Sequence, residues 1–138
     1  MENQNVIYGI NGPVVTVKNA RSFSMMEMVF VGHERLVGEI IGINDKFTTI
    51  QVYEETTGLT LGEPIYGTRS PMNVTLGPGI MSNIFDGIER PLKEIAKESG
   101  TFINRGSTAS ALDEEKLWDV TLKEQIGDTL KSGDVYAE

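Results

Sequence analysis

The sequence predicts a mainly β protein: a small six-stranded N-terminal β-barrel, then a short helical linker, then a second strand-like stretch. Three observations carry this. Residues 5–69 are short apolar runs broken about every ten residues by turn residues, the pattern of a small barrel or sandwich. From residue 80 the apolar period lengthens to helical spacing. Beyond residue 113 it shortens again.

The first run, 5–10, ends at Asn11-Gly12-Pro13, and 14–17 follows. Run 25–31 is closed by Gly32-His33-Glu34-Arg35 and followed by 36–43. Asn44-Asp45-Lys46 separates that run from 47–53, where Phe47, Thr49, Gln51 and Tyr53 share one face and Thr48, Ile50 and Val52 the other. Glu55-Thr56-Thr57-Gly58 makes the next turn, and 63–66 is a sixth short strand. Pro64 and the glycines flanking that segment place it at an edge or a bulge. Six strands in so short a stretch cannot all bury two faces, and a closed barrel removes the exposed edges. Ile80, Met81, Ile84, Phe85 and Ile88 then recur at helical spacing after Leu76-Gly77-Pro78-Gly79. Pro91 suits a first helical turn, Leu92, Ile95 and Ala96 form an apolar stripe, and Ser99-Gly100 is a stop. Residues 101–110, rich in Ser, Thr and Gly, read as loop. Strand-like pieces return at 117–122 and 135–137, around Gly127-Asp128 and Gly133-Asp134 turns. The chain stops at Glu138, in or just after the last piece, with nothing to pair with it, as expected at the edge of a larger unit.

Composition narrows the function. The 138 residues suffice for one ordinary domain or two small ones. Twelve Lys and Arg against twenty Asp and Glu give a net charge of −8, and residues 113–138 hold three Lys against eight acids. Such a surface repels phosphate backbones and anionic headgroups, which argues against nucleic-acid or membrane-surface binding. No Cys is present, so disulfides, thiol catalysis and cysteine zinc sites are excluded, and one His cannot build a histidine metal site. No apolar run approaches the ~20 residues of a membrane helix. The opening Met1-Glu2-Asn3-Gln4-Asn5 lacks the basic start of a secretory signal, so a reducing, cytoplasmic context is expected.

Few residues invite chemistry. His33 sits in a hairpin turn with no G-x-S-x-G elbow to partner it, and reads as a solvated turn residue. Glu54-Glu55 and Asp113-Glu114-Glu115 are adjacent acids, but an acid/base pair must converge on one point. Neighbours along a strand face opposite ways, so both groups read as solvated surface. Gly77-Pro78-Gly79-Ile80-Met81-Ser82 partly mimics a G-x-G-x-x-G nucleotide loop. Its third position is Ser, Pro removes an amide donor, and no second parallel strand follows, so a strand-to-helix corner fits better. A G-x-x-x-x-G-K-[ST] phosphate loop needs Lys after Gly, and no Gly here is followed by Lys. Asn44-Asp45-Lys46 with the Gly127–Asp134 repeat is similar to the tips of lipoyl and biotinyl carriers. The two lie some eighty residues apart in sequence, which disfavours that reading. Asn73-Val74-Thr75 matches a glycosylation sequon, idle without a secretory signal. No catalytic, cofactor-binding or metal-binding residue is expected, and taken alone these residues describe an acidic β-rich module.

Longer strings say more. Ile50-Gln51-Val52-Tyr53-Glu54-Glu55-Thr56-Thr57-Gly58-Leu59 and Gly62-Glu63-Pro64 resemble the catalytic A subunit of V-type and archaeal-type rotary ATPases. Leu76-Gly77-Pro78-Gly79-Ile80 and Ile84-Phe85-Asp86-Gly87-Ile88-Glu89-Arg90-Pro91-Leu92 resemble the segment that follows there. Ala111-Leu112-Asp113-Glu114-Glu115-Lys116-Leu117-Trp118 is similar to the opening of its bulge insertion, and Asn11-Gly12-Pro13-Val14-Val15 to its first barrel strands. The resemblance implies a barrel at 1–72, a linker with short helices opening the nucleotide-binding domain at 73–110, and the truncated first part of the bulge at 111–138. It implies a parent that couples ATP hydrolysis or synthesis to proton or sodium transport with MgATP. The piece itself would hold the hexameric head together and do no chemistry. Its partners would be neighbouring B subunits through the barrel ring and the peripheral stalk through the bulge, in a cytoplasmic, peripheral membrane complex. Residues beyond 110 are expected to be mobile or to pair between molecules as a dimer. A stand-alone β-barrel binding module is the alternative, and a carrier modified at Lys46 a third.

Overall fold

The structure, a computed structural model, describes residues 5–18, 22–81, 83–100, 102–107 and 109–138, and the backbone but not the side chain of Glu98. Ser82 of the glycine string, residues 1–4 and 19–21 of the expected barrel, and residues 101 and 108 of the expected loop lie outside the described residues. Among the described residues, strands β1 (Ile7–Asn11), β2 (Val14–Lys18), β3 (Glu27–Val31), β4 (Leu36–Ile43), β5 (Phe47–Val52) and β6 (Ile65–Pro71) precede one helix, α1 (Leu92–Ser99). All neighbouring strands run antiparallel, in the order β1-β2-β5-β4-β3-β6.

Alternation decides which face turns inward. In β5, Thr48, Ile50 and Val52 are buried while Phe47, Thr49 and Gln51 are half-buried, as the period of two requires. Val15 and Val17, Val29 and Val31, and Leu36 and Ile40 supply the same inward face from β2, β3 and β4. With Ile7, Phe23 and Ile65 they form one core. Register shifts at Ile7/Gly9, Glu27/Val29 and Ile40/Gly42 bend the sheet. The bend brings its edges together. Val6 bridges Pro64, the Ile7 N–H donates to the Glu63 carbonyl at 2.9 Å, and the Ile65 N–H donates to Asn5 at 2.8 Å.

One buried carboxylate belongs to this closure. Glu27 is 2% exposed, and its oxygens accept the N–H groups of Ser24 (2.8 Å) and Arg69 (2.9 Å). Two amide donors satisfy an acid that would otherwise be costly inside, and they tie the start of β3 to β6. Gly67 makes room: a Cβ there would stand 2.5 Å from Glu27 Oε1.

Four expectations need correction. The sixth strand begins at Ile65 and runs to Pro71, rather than spanning 63–66. No helix covers the described residues of 80–88, which are turns, a bridge at Phe85 and irregular backbone, so Gly77-Pro78-Gly79 opens no helix. Asp86 explains this, because its Oδ1 takes the N–H groups of Ile88 and Arg90 (3.0 and 2.8 Å), donors a helix would need. Glu89 then enters the left-handed region at φ 65. The helix at Leu92–Ser99 forms as expected, but Pro91 sits at its N-cap and Ala96 is exposed. Gly100, at φ 73, stops it with an N–H bonded to the Ala96 carbonyl. At 117–122 and 135–137 there are no full strands, only the bridge Leu122–Ala137 with flanking backbone bonds. Leu117, Val120, Leu122 and Ile126 stay exposed, and a two-stranded pairing with no covered apolar face is marginal.

Core and outer positions of one strand should therefore respond differently. Ile50→Ala should lower the unfolding free energy by about 2–5 kcal/mol, and Thr49→Ala by less than about 1, read as shifts of the urea midpoint.

Candidate functional site

Most sequence candidates are surface turn chemistry. His33 is exposed in the turn between β3 and β4, and its backbone N–H donates to Glu63 Oε2 at 2.9 Å. That bond, more than the N–H and hydroxyl of Thr60, holds Glu63 below the usual carboxylate range against the opposing effect of desolvation. At the β4–β5 tip the Asn44 side chain accepts the N–H groups of Lys46 and Phe47, both at 2.9 Å. Lys46 is exposed there. Asp128 and Asp134 each accept a backbone N–H three residues earlier, from Gln125 and Lys131, at 2.7 Å. The Gly-Asp repeat is thus a pair of capped turns. Asp113, Glu114 and Glu115 are exposed, and the Thr75 N–H of the sequon donates to Glu89 at 3.3 Å.

The acid pair after β5 behaves otherwise. Both acids lie past the end of β5, and Glu55 is exposed, but Glu54 is not solvated surface. Its side chain is 8% exposed and pairs with Arg90, itself 14% exposed, at 3.1 Å. The same Oε2 accepts the Gly106 N–H at 3.0 Å, and Oε1 accepts the Val37 N–H at 3.4 Å. Arg90 Nε donates to Asp86 Oδ2 at 2.6 Å. A second arginine lies beside this cluster. Arg105 pairs with Glu34 at 2.9 Å and donates to the carbonyls of Glu55 and Thr57. Gly106 permits the approach, since it sits at φ +66 and a Cβ would lie 2.1 Å from the Glu34 carbonyl oxygen.

Four backbone regions therefore meet at one joint: the β3–β4 turn, the exit of β5, the Asp86–Arg90 turn and the Arg105–Gly106 turn. The Asp86/Arg90 spacing is readable in sequence, but Glu54 stands thirty-six residues earlier, and only the fold brings it there. Burial alone would raise the Asp86 pKa. The Arg90 N–H, its guanidinium and the Ile88 N–H outweigh this and hold the carboxyl below its ordinary value. Desolvation likewise disfavours charged Arg90, but Asp86 and Glu54 reverse that and raise its pKa.

Clefts flank the joint. One of about 310 Å³ lies between the outer barrel residues Met28, Phe30 and Val37 and the segment carrying Ile88 and Glu89. A larger one, about 630 Å³, lies beside α1, with Lys93, Lys97 and Lys116 on its walls. Among the described residues no group of three or more His, Asp or Glu is placed to hold a metal ion, and none of their helices is long and apolar enough to cross a membrane. The arrangement fastens polypeptide segments together.

Residues 7–69 match the ATP synthase alpha/beta family, beta-barrel domain. The V-type ATP synthase alpha chain of Halothermothrix orenii is 50% identical over 138 residues, which is 100% of this chain and 23% of that protein. The V-type ATP synthase alpha chain 2 of Clostridium tetani is 53% identical over 132 residues, 96% of this chain and 22% of that one. The chain spans less than a quarter of the length of these relatives. Among solved structures, the assembled ATPase EscN from the enteropathogenic E. coli type III secretion system shares the fold. Its TM-score is 0.58 at 17% identity, over 64% of this chain and 21% of that one.

The depressed Asp86 pKa sets the acid limit of the joint. Its contribution is full above the unfolded-state value, about 4, and is lost as pH falls through the lower folded value. Amide exchange protection at Ile88 and Arg90 should thus persist at pH 5 and collapse only below about pH 4.

Proposed function

We propose that this chain, whose residues 7–69 match the beta-barrel domain of the ATP synthase alpha/beta family, is the assembly portion of a V/A-type catalytic A subunit. The parent couples ATP hydrolysis or synthesis to proton or sodium transport. The barrel joins those of neighbouring B subunits in the ring that holds the hexameric head, on the cytoplasmic side of a peripheral membrane complex. Residues 73–110 open the nucleotide-binding domain, and 111–138 begin the bulge that meets the peripheral stalk. What supports the reading is the likeness to V-type alpha chains along the whole sequence, which disfavours a stand-alone barrel module. The outer barrel surface adds to it. Tyr8, Ile41 and Ile43 are exposed, the Tyr8 and Phe47 rings stand 5.3 Å apart, and Lys18 lies over Tyr8. Such an apolar, aromatic surface suits contact with a neighbour.

These residues do not fit MgATP. Phosphoryl transfer needs a cradle for the phosphates and a metal, yet no Gly is followed by Lys in the 138 residues. We assign the chemistry to other residues of the parent, with none catalytic, cofactor-binding or metal-binding here. Calorimetric titration of the chain with MgATP should give no binding heat, and micromolar affinity would overturn the assignment.

The exposed tail has its own expected behaviour. The bridge at Leu122–Ala137 leaves open backbone edges, which invite pairing with a second copy. Light scattering should show a dimer for the 138-residue chain and a monomer for a version ending near residue 72. Two monomers would remove the dimer reading.

A further inference from the structure

The joint holds more than a static contact requires. Residues 86–90 and 105–107 lie against the barrel as a strap, clipped by Arg90 to Glu54 and by Arg105 to Glu34. Beneath the clips the strap is ill at ease. Glu89, the residue before Arg90, sits at φ 65, a backbone region that costs free energy for a residue with a Cβ. Its Oε2 accepts the Thr75 N–H at 3.3 Å, while the buried Oε1 has no hydrogen-bond partner among the described residues. A buried oxygen without a donor is a further cost, because water satisfies it when the segment is open. The cleft of about 310 Å³ beside it shows that the strap does not pack closely on Met28, Phe30 and Val37.

Closure and strain therefore act on adjacent residues in opposite directions. We propose that the strap is a latch held shut against local strain at Glu89 by the Arg90–Glu54 clip, and that its opening uncovers the apolar outer residues Met28, Phe30 and Val37 while the barrel stays folded. Gly106 sets where the strap closes, because no other residue type fits beneath the Glu34 carbonyl. The barrel core lies on the inward face of the strands and takes no part in the opening. The latch is formed wholly within this chain, so its test does not depend on assembly into a head.

Native-state hydrogen exchange on the full chain tests this, reading Ile88, Arg90 and Gly106 for the strap and Val15 and Ile50 for the barrel. Glu54→Gln should speed strap exchange at least tenfold and leave the barrel amides unchanged. Glu89→Gly, which relieves the left-handed backbone and removes the orphaned oxygen, should slow strap exchange at least threefold. Strap exchange that rises in both variants would make Glu89 an ordinary docking residue and overturn the proposal. Strap and barrel amides that always change together would overturn it too, since the two would then open only as one unit. If Glu54→Gln fails to fold, the slowing by Glu89→Gly decides alone.

Discussion

Closure of the barrel is the constraint on which the rest depends. A six-stranded sheet has two edges, and each presents unpaired backbone groups. Here they meet through the segment before β1 and the segment before β6, which exchange backbone bonds around Ile7, Glu63 and Asn5. The register shifts at Gly9 and Gly42 supply the curvature. Once closed, the inward faces of all six strands enclose one apolar core, and every outward residue has a fixed direction. Glu27 reinforces the closure from within by bonding to the backbone of both β6 and the approach to β3.

That fixed direction makes the joint with the linker possible. Just past β5, Glu54 reaches Arg90 and the Gly106 N–H, while Glu55 is exposed. In the buried pair with Arg90, Glu54 Oε2 also accepts the Gly106 N–H, Arg90 Nη1 also donates to the Ser107 carbonyl, and Arg90 Nε donates to Asp86. Removing water from a charge is expensive, and only a fully bonded arrangement offsets it. The joint thus fixes the register of the strap without adding apolar area.

The second half of the chain is built differently. Past α1, large apolar side chains such as Phe102, Leu117 and Ile126 remain exposed, and short-range turns are the main order. Asp128 and Asp134 hold those turns with their own side chains. Exposed apolar side chains of this kind suit contact with other polypeptide.

How far the sequence alone reached follows from the range of the interactions. β1 to β5, their turns and α1 were legible because a period of two, a period of 3.6 and turn residues are local signals. The helix expected over 80–88 was a false reading, because helical spacing of Ile80, Ile84 and Ile88 cannot reveal that Asp86 captures the donors a helix needs. Glu54 read as solvated surface for a similar reason. Its partner lies far along the chain, and no local pattern encodes a meeting made by barrel closure. By itself, then, the sequence determined the strands, their inward faces and the family likeness, since each resides in neighbouring residues. Tertiary structure alone decided which acid is buried and where the strap docks, because both require distant segments to be brought together before their charges can pair.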